Sequence, residues 1–442
     1  MAWNCDNMDV IDLSGTHEEH AALCKAIEED RQVYILPAKD AAMDIEEFRI
    51  HGKEMVDFVA DYWRDMRKRE PLPNVKPGYM SNVIPRRLPS KTDDWKTIFD
   101  SLEEVVLKEA QEVASSKHIE CWAANDWRKL EKAITLLSDS TYLAARGDLA
   151  HYSVEKVAAF CGVKFRKLRT ILDPILKNYS VTKETLETAI REDRARGLIP
   201  FFMLATLGTT ATCAVDSLRE LGPICNREFI YLHADAAYGG GFLVCPEFRY
   251  LSNGIEYADS FNFNGHKEFQ ALFFSPMWFK DGVTAMKYFK IGNEVSEEWE
   301  ETPAAIQHLR VPSGRRANAL KIYFVLRSLG FEYIQSELRK HVQLAALFAR
   351  LITDDDDFEL FVPQHLGLVC FRIKNGTNAE NKALCQAIND DRRIHLVPGE
   401  VHGVYFLRFA VCSPLTTEDD VRFAYNICKE LLAKLNINDI FP

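Results

Sequence analysis

The sequence predicts an α/β fold: a large domain on a mostly parallel sheet, an N-terminal helical arm before it and a small α+β C-terminal domain after it. Three observations carry this. From residue 160 onward short apolar runs alternate with amphipathic helical segments, the pattern of a parallel sheet covered by helices. Ahead of them stands an apolar helix followed by a proline-rich stretch with nothing local to pack on. The final 130 residues turn to long helical runs with a few alternating strands, and they show no internal repeat.

Composition sets the outer bounds. The chain has 442 residues, 47% of them hydrophobic, enough for two or three units with real cores. Fifty-four basic against 65 acidic residues give a net charge of −11, which argues against a nucleic-acid partner. Met1 to Gly15 lacks the basic and apolar regions of a signal peptide, and the longest uncharged run, Leu198 to Val215, is too polar to span a bilayer. Eleven cysteines without a CxxC pair fit buried thiols in a reducing compartment, so a cytoplasmic protein with no membrane partner is expected.

Residues 1–42 read as an extension. His17, Glu18, Glu19 and His20 hold two histidines three apart, not the four of a zinc-binding helix, so no metal is expected. Residues 43–107 read as the arm. Phe48, Met55, Val59, Tyr62 or Trp63, and Met66 fall at helical spacing, and Pro71, Pro73 and Pro77 end the helix in an extended arm reaching Tyr79. Asp93 to Leu107 reads as a second amphipathic helix. The large domain spans 108–312. Its first part, 108–150, shows helical fragments but no clear strand. Strands follow at Gly162–Leu168, Ile199–Leu207, Phe229–Ala234, Ser260–Phe263 and Leu272–Phe279. Thr182 caps a helix that Gly197 ends, and Asp216–Glu228 is another. In the small domain, 313–442, helices are expected at Leu320–Leu329, Tyr333–Leu351 and Thr417–Leu435, and strands at Leu366–Ile373 and Val404–Val411. The Asp354–Asp357 run reads as a solvated loop.

Open α/β sheets bind ligands at the carboxyl ends of their strands, so the residues there are the candidates. Gly208-Thr209-Thr210 follows one strand, Asp235-Ala236-Ala237-Tyr238 with Gly239–Gly241 the next, and Asn264-Gly265-His266-Lys267 a third. Singly these read as a helix cap, a turn aspartate, a surface lysine and a glycine run without a nucleotide motif. Together on one edge, an aspartate and a lysine 32 residues apart suit pyridoxal 5'-phosphate (PLP). The amine condenses with the aldehyde and the carboxylate keeps the pyridine nitrogen protonated. A charge pair at ~4 Å with an effective dielectric of ~20 is worth about 4 kcal/mol, enough for that task.

The stretches Leu232–Tyr238 and Asp259–Lys267 resemble the PLP-dependent group II amino acid decarboxylases, nearest to the aromatic L-amino acid and histidine decarboxylases. Gly52–Asp57, Ala150–Lys156, Leu198–Thr210 and Ile394–Pro398 match as well. The resemblance covers most of 43–107 and 148–435. It implies a PLP-dependent transferase-like fold (fold type I) and a homodimer whose N-terminal arms cross. It makes Lys267 the Schiff-base lysine and Asp235 the partner of the ring nitrogen. Ala237 would lie beneath the ring, His151 would stack on its other face, Thr210 would touch ring substituents, and Asn264 and His266 would reach the phosphate. Tyr79 would line the substrate pocket. Gly314 stands where the family uses glycine for bulky aromatic substrates.

Three departures stand against this background. Residues 108–147 lack the family's glycine- and serine-rich phosphate loop, Trp122-Ala123-Ala124 being the remaining fragment of that region. No tyrosine occurs between Ile291 and Lys321, where the family's mobile loop carries its proton donor. Gly265 replaces a proline, and Glu268 follows the lysine where an aromatic is usual and is expected to raise its pKa. The sequence therefore supports PLP-dependent decarboxylation of an aromatic L-amino acid to the amine and carbon dioxide. An impaired or inactive homologue that keeps the dimer fold is the alternative, and another PLP reaction such as transamination is a weaker third.

Overall fold

The computed structural model describes residues 45–65, 89, 91–102, 142–174, 176–269, 274–282, 284–285 and 318–440. Residues 1–42, most of 108–147, Tyr79, Gly314 and the segment expected to hold the mobile loop lie outside them. The chain forms two compact units, the first holding 45–65 with 92–102, the second holding 142–281 with 318–440.

In the first unit, helix α1 (Ile45–Asp65) meets α2 (Trp95–Asp100). His51 stacks on Trp95 at 4.4 Å, the Trp95 indole N–H donates to Glu54 at 2.6 Å, and Phe58 meets Phe99 edge-on. The Asp94 side chain caps α2 by accepting from the Thr97 N–H. The arm helix thus runs as its spacing predicts, and the second helix is described over Trp95–Asp100, residues 103–107 of the Asp93–Leu107 reading lying outside the described residues.

The second unit is built on a six-stranded sheet. Its strands are β1 (Tyr142–Gly147), β2 (Lys164–Leu168), β5 (Ile199–Thr206), β6 (Tyr231–Asp235), β7 (Ser260–Asn262) and β8 (Met277–Phe279), in the order β2-β1-β5-β6-β7-β8. All pairs are parallel except β7 with β8. A short hairpin, β3 (Ile171–Leu172) with β4 (Tyr179–Ser180), lies between β2 and β5. Helix α3 (Ser153–Phe160) joins β1 to β2, α4 (Lys183–Ala195) leads into β5, and α5 (Leu218–Arg227) into β6. Leu186, Ala189 and Ile190 of α4 and Leu221, Ile224 and Cys225 of α5 share a core with Met203, Ala205, Leu232 and Ala234 of the sheet. Thr182 accepts from the Thr185 N–H at the start of α4, and Gly197 takes φ +74° just past its end, as the sequence indicates.

Strand β1 corrects the reading of 108–150 as strandless. Ala144-Ala145-Arg146-Gly147 carries little strand signal, and pairing on both sides decides its state. The Leu272–Phe279 strand is shorter than expected and antiparallel. Gly239–Gly241 opens the short helix α6 (Gly239–Phe242) and is a packing device. A Cβ on Gly239 would come 2.5 Å from the Leu207 carbonyl oxygen, and one on Gly240 2.5 Å from the Phe263 Cβ. Beyond β7 comes α7 (Gly265–Glu268).

The C-terminal part carries α8 (Asn318–Leu329), α9 (Phe331–Thr353), α10 (Asn378–Asp391) and α11 (Glu418–Ile440). An antiparallel sheet joins β9 (Phe358–His365), β10 (Leu368–Ile373), β11 (Val397–Val401) and β12 (Val404–Ala410) in the order β11-β12-β10-β9. Phe348, Phe358, Phe371, Leu384, Leu407 and Leu431 centre its core. The Asp354–Asp357 run is not simply a solvated loop. Asp355 is buried, accepts from the Tyr425 hydroxyl and from Lys429 at 2.9 Å, and so clamps the α9–β9 turn to α11.

Candidate active site

Four adjacent parallel strands end on one edge, and each delivers a sequence-predicted residue beyond its carboxyl end. His151 comes four residues after β1, Thr210 four after β5, Asp235 closes β6, and Lys267 follows β7 by five. The alternation that packs Ala234 and Leu232 into the core sets the ladder that carries Asp235 to its end.

Asp235 is buried. Its Oδ1 accepts from the Ala237 N–H at 3.0 Å, and Ala237 in turn accepts from the Asn264 N–H at 3.1 Å. This chain of bonds ties the aspartate to the Ala237 turn and to the loop before the lysine. Lys267 is exposed on its edge, yet the surrounding protein pulls its amine below the usual lysine value. Desolvation outweighs the opposing pull of the Asp235 and Glu268 charges. Glu268 pulls the amine's pKa upward as the sequence indicates, and burial of the amine outweighs that pull.

Thr210 is exposed at the tip of a tight loop. Gly208 takes φ +93° there, and Gly208 and Thr209 both donate to the Ala214 carbonyl. The loop is held from outside by Asn178 Nδ2 on the Thr212 carbonyl and by His365 Nδ1 on the Cys213 carbonyl. His151 is exposed, accepts from the Ser153 N–H at 3.3 Å and lies against the Tyr152 ring at 4.3 Å. Asn264 accepts from the Ser275 hydroxyl at 2.7 Å, and His266 Nδ1 faces the Phe274 carbonyl at 3.2 Å. A Cβ on Gly265 would come 2.6 Å from the Phe274 ring, so the position given to proline in the family is here filled by a neighbour. Tyr79 and Gly314 lie outside the described residues, and no group of three metal-ligating side chains occurs among those described.

Sequence reasoning missed His233. It stands two residues before Asp235 on the same face of β6. Its Nδ1 pairs with the Ser260 hydroxyl at 2.8 Å and its Nε2–H donates to Asn262 Oδ1 at 2.9 Å. Burial of the ring lowers its pKa. The only signal was a histidine inside an apolar strand.

The donor set fits PLP: a buried carboxylate at the end of one strand, an amine of lowered proton affinity beyond the next, and an alanine N–H fixing the carboxylate between them. Residues 134–374 match the pyridoxal-dependent decarboxylase conserved domain. The chain belongs to the pyridoxal-dependent decarboxylase family. It is 34% identical to the aromatic-L-amino-acid decarboxylase of Drosophila melanogaster over 474 residues, covering 88% of this chain and 92% of that one. It is equally 34% identical to the enzyme of the same name from Rattus norvegicus over 480 residues, covering 89% and 99%. The latter alignment is longer than this whole 442-residue chain, so stretches of the relative have no counterpart here. Two solved structures share the fold. One is Catharanthus roseus tryptophan decarboxylase in complex with L-tryptophan (TM-score 0.61, 24% identity, 89% of this chain and 99% of that one). The other is Oryza sativa TDC with PLP and tryptamine (0.64, 22%, 91% and 100%). Within the family the chain is a PLP-dependent carboxy-lyase of fold type I.

Proposed function

We propose that this protein decarboxylates an aromatic L-amino acid to the corresponding amine and carbon dioxide. The observation that carries the reading is the coupling of Asp235 to Lys267 across neighbouring strand ends, in a chain that matches relatives named for this activity over nearly their full length. That likeness also favours an active enzyme over the inactive homologue. Bound PLP supplies an electron sink for the carbon that loses its carboxylate. Lys267 is the residue that would hold the cofactor through its amine. Asp235 would keep a proton on the ring nitrogen, and Ala237 and His151 would hold the ring. Thr210 would serve the ring substituents, and Asn264 and His266 the phosphate. Tyr79 and Gly314, outside the described residues, would serve the substrate side.

We further propose a cytoplasmic homodimer joined through α1. This helix leaves Phe48 and Val56 at 70% and 68% exposure. No described helix is long and apolar enough to cross a membrane. Adding PLP to purified protein is expected to give a visible absorbance band that Lys267→Ala abolishes. Carbon dioxide release from a panel of aromatic amino acids then fixes the substrate. A chain that stays colourless at saturating PLP, or releases no carbon dioxide from any of the panel, overturns the reading.

A further inference from the structure

Behind the lysine the structure holds a charge that the reaction does not use. Glu268, the residue after Lys267, turns inward with its side chain 1% exposed, and neither carboxylate oxygen has a hydrogen-bond partner among the described residues. His341 of α9 is as deeply buried, both ring nitrogens equally without partners, and its Nδ1 stands 3.6 Å from Glu268 Oε2. Gly241 makes the space: a Cβ there would come 2.7 Å from the Glu268 Cβ. An isolated charge in such surroundings is costly, and each group is the natural compensation for the other.

We infer that Glu268 and His341 form a buried ion pair that makes Glu268 a positioning residue for Lys267. The pair anchors the four-residue helix that carries the lysine and sets the amine's proton affinity from behind, while Asp235 sets it from the cofactor side. This rests on Lys267 as the reactive lysine. The other groups in reach are accounted for. Arg408 opposes Glu268 at Lys267, and Tyr238, Cys213 and Cys412 feel the Glu268 charge but carry none themselves. Glu337, one turn from His341 on α9, has Lys340 at 3.6 Å.

The pair makes opposite demands on two substitutions. Glu268→Gln removes the negative member and lowers the proton affinity of Lys267. His341→Gln removes the positive member, leaves the carboxylate uncompensated and raises it. The measurement is the labelling rate of Lys267 by trinitrobenzenesulfonate against pH, on the full chain freed of cofactor and read by peptide mass spectrometry. Asp235→Asn serves as the scale. The expected result is a midpoint that falls by about one pH unit in Glu268→Gln and rises by about as much in His341→Gln, or roughly tenfold faster and tenfold slower labelling below the midpoint. Unmoved midpoints, or midpoints that move the same way, overturn the pair. If one variant does not fold, the other is read alone by the same sign. Because no PLP is present, this outcome is independent of whether the visible band forms.

Discussion

At the scale of the residue, Asp235 does the most with the least. Its carboxylate is buried, fixed by one backbone N–H and flanked by a histidine whose two nitrogens are already engaged. In the proposed site that charge serves the ring nitrogen of the cofactor, and it also acts on the Lys267 amine. Asp235→Asn keeps the shape and removes the charge. With about 4 kcal/mol at stake for a ~4 Å pair, kcat for decarboxylation is expected to fall by roughly 10²–10³-fold, while urea unfolding changes little. His233→Leu removes two side-chain bonds across β6 and β7. It is expected to cost about 1–3 kcal/mol in urea unfolding and to lower kcat as well, because the strand end that carries Asp235 loosens. Asp235 and Lys267 were legible because a polar residue straight after an apolar run stands out. His233 was not, because its task is a bond to the neighbouring strand, and sequence spacing carries no cross-strand register. The inward turn of Glu268 was hidden for a related reason: a four-residue helix has no periodicity from which to read a face.

At the scale of the element, the junction of β5 with α5 rests on Asp216. Its two oxygens accept from the Val181 and Thr206 N–H groups at 2.9 and 2.8 Å, and full burial raises its pKa to about 6. The sign follows directly. The folded state holds the proton more tightly than the unfolded chain, so this group favours folding below its ordinary value of 3.8. That contribution is lost as pH rises through about 6. Asp216→Asn cannot ionise. The stability difference between wild type and variant is therefore expected to move by a few kcal/mol in the variant's favour between pH 4 and 7 and to stay flat above, as followed by urea midpoints at each pH. A difference independent of pH would refute the assignment. The elements themselves were unevenly legible. Helix α4 announced both ends through Thr182 and Gly197. Strands β9 and β11 did not, because each contains a proline, Pro363 and Pro398. Both lie at the edges of their sheet, where a missing N–H is tolerated. Strand β1 was hidden because Ala-Ala-Arg suits a helix as readily, and its state is decided by β2 and β5 on either side.

At the scale of the whole molecule, the arm helix α1 is the feature that a single chain leaves unexplained. A 21-residue helix with Phe48, Ile50, Val56 and Val59 all exposed is stable only if something covers those side chains. Each is worth about 1.5–3 kcal/mol when fully buried, and a twofold partner would gain the set twice, once from each arm. Placing a carboxylate at two of these positions reverses the sign, because a charge at an apolar interface carries a desolvation cost. On the proposed homodimer, the wild type is expected to sediment as a dimer and the double variant Phe48→Glu, Val56→Glu as a monomer at the same concentration. Its far-ultraviolet circular dichroism should barely change, because both side chains are exposed in the single chain. If the double variant remains a dimer, α1 is not the joint, and the subunits meet elsewhere.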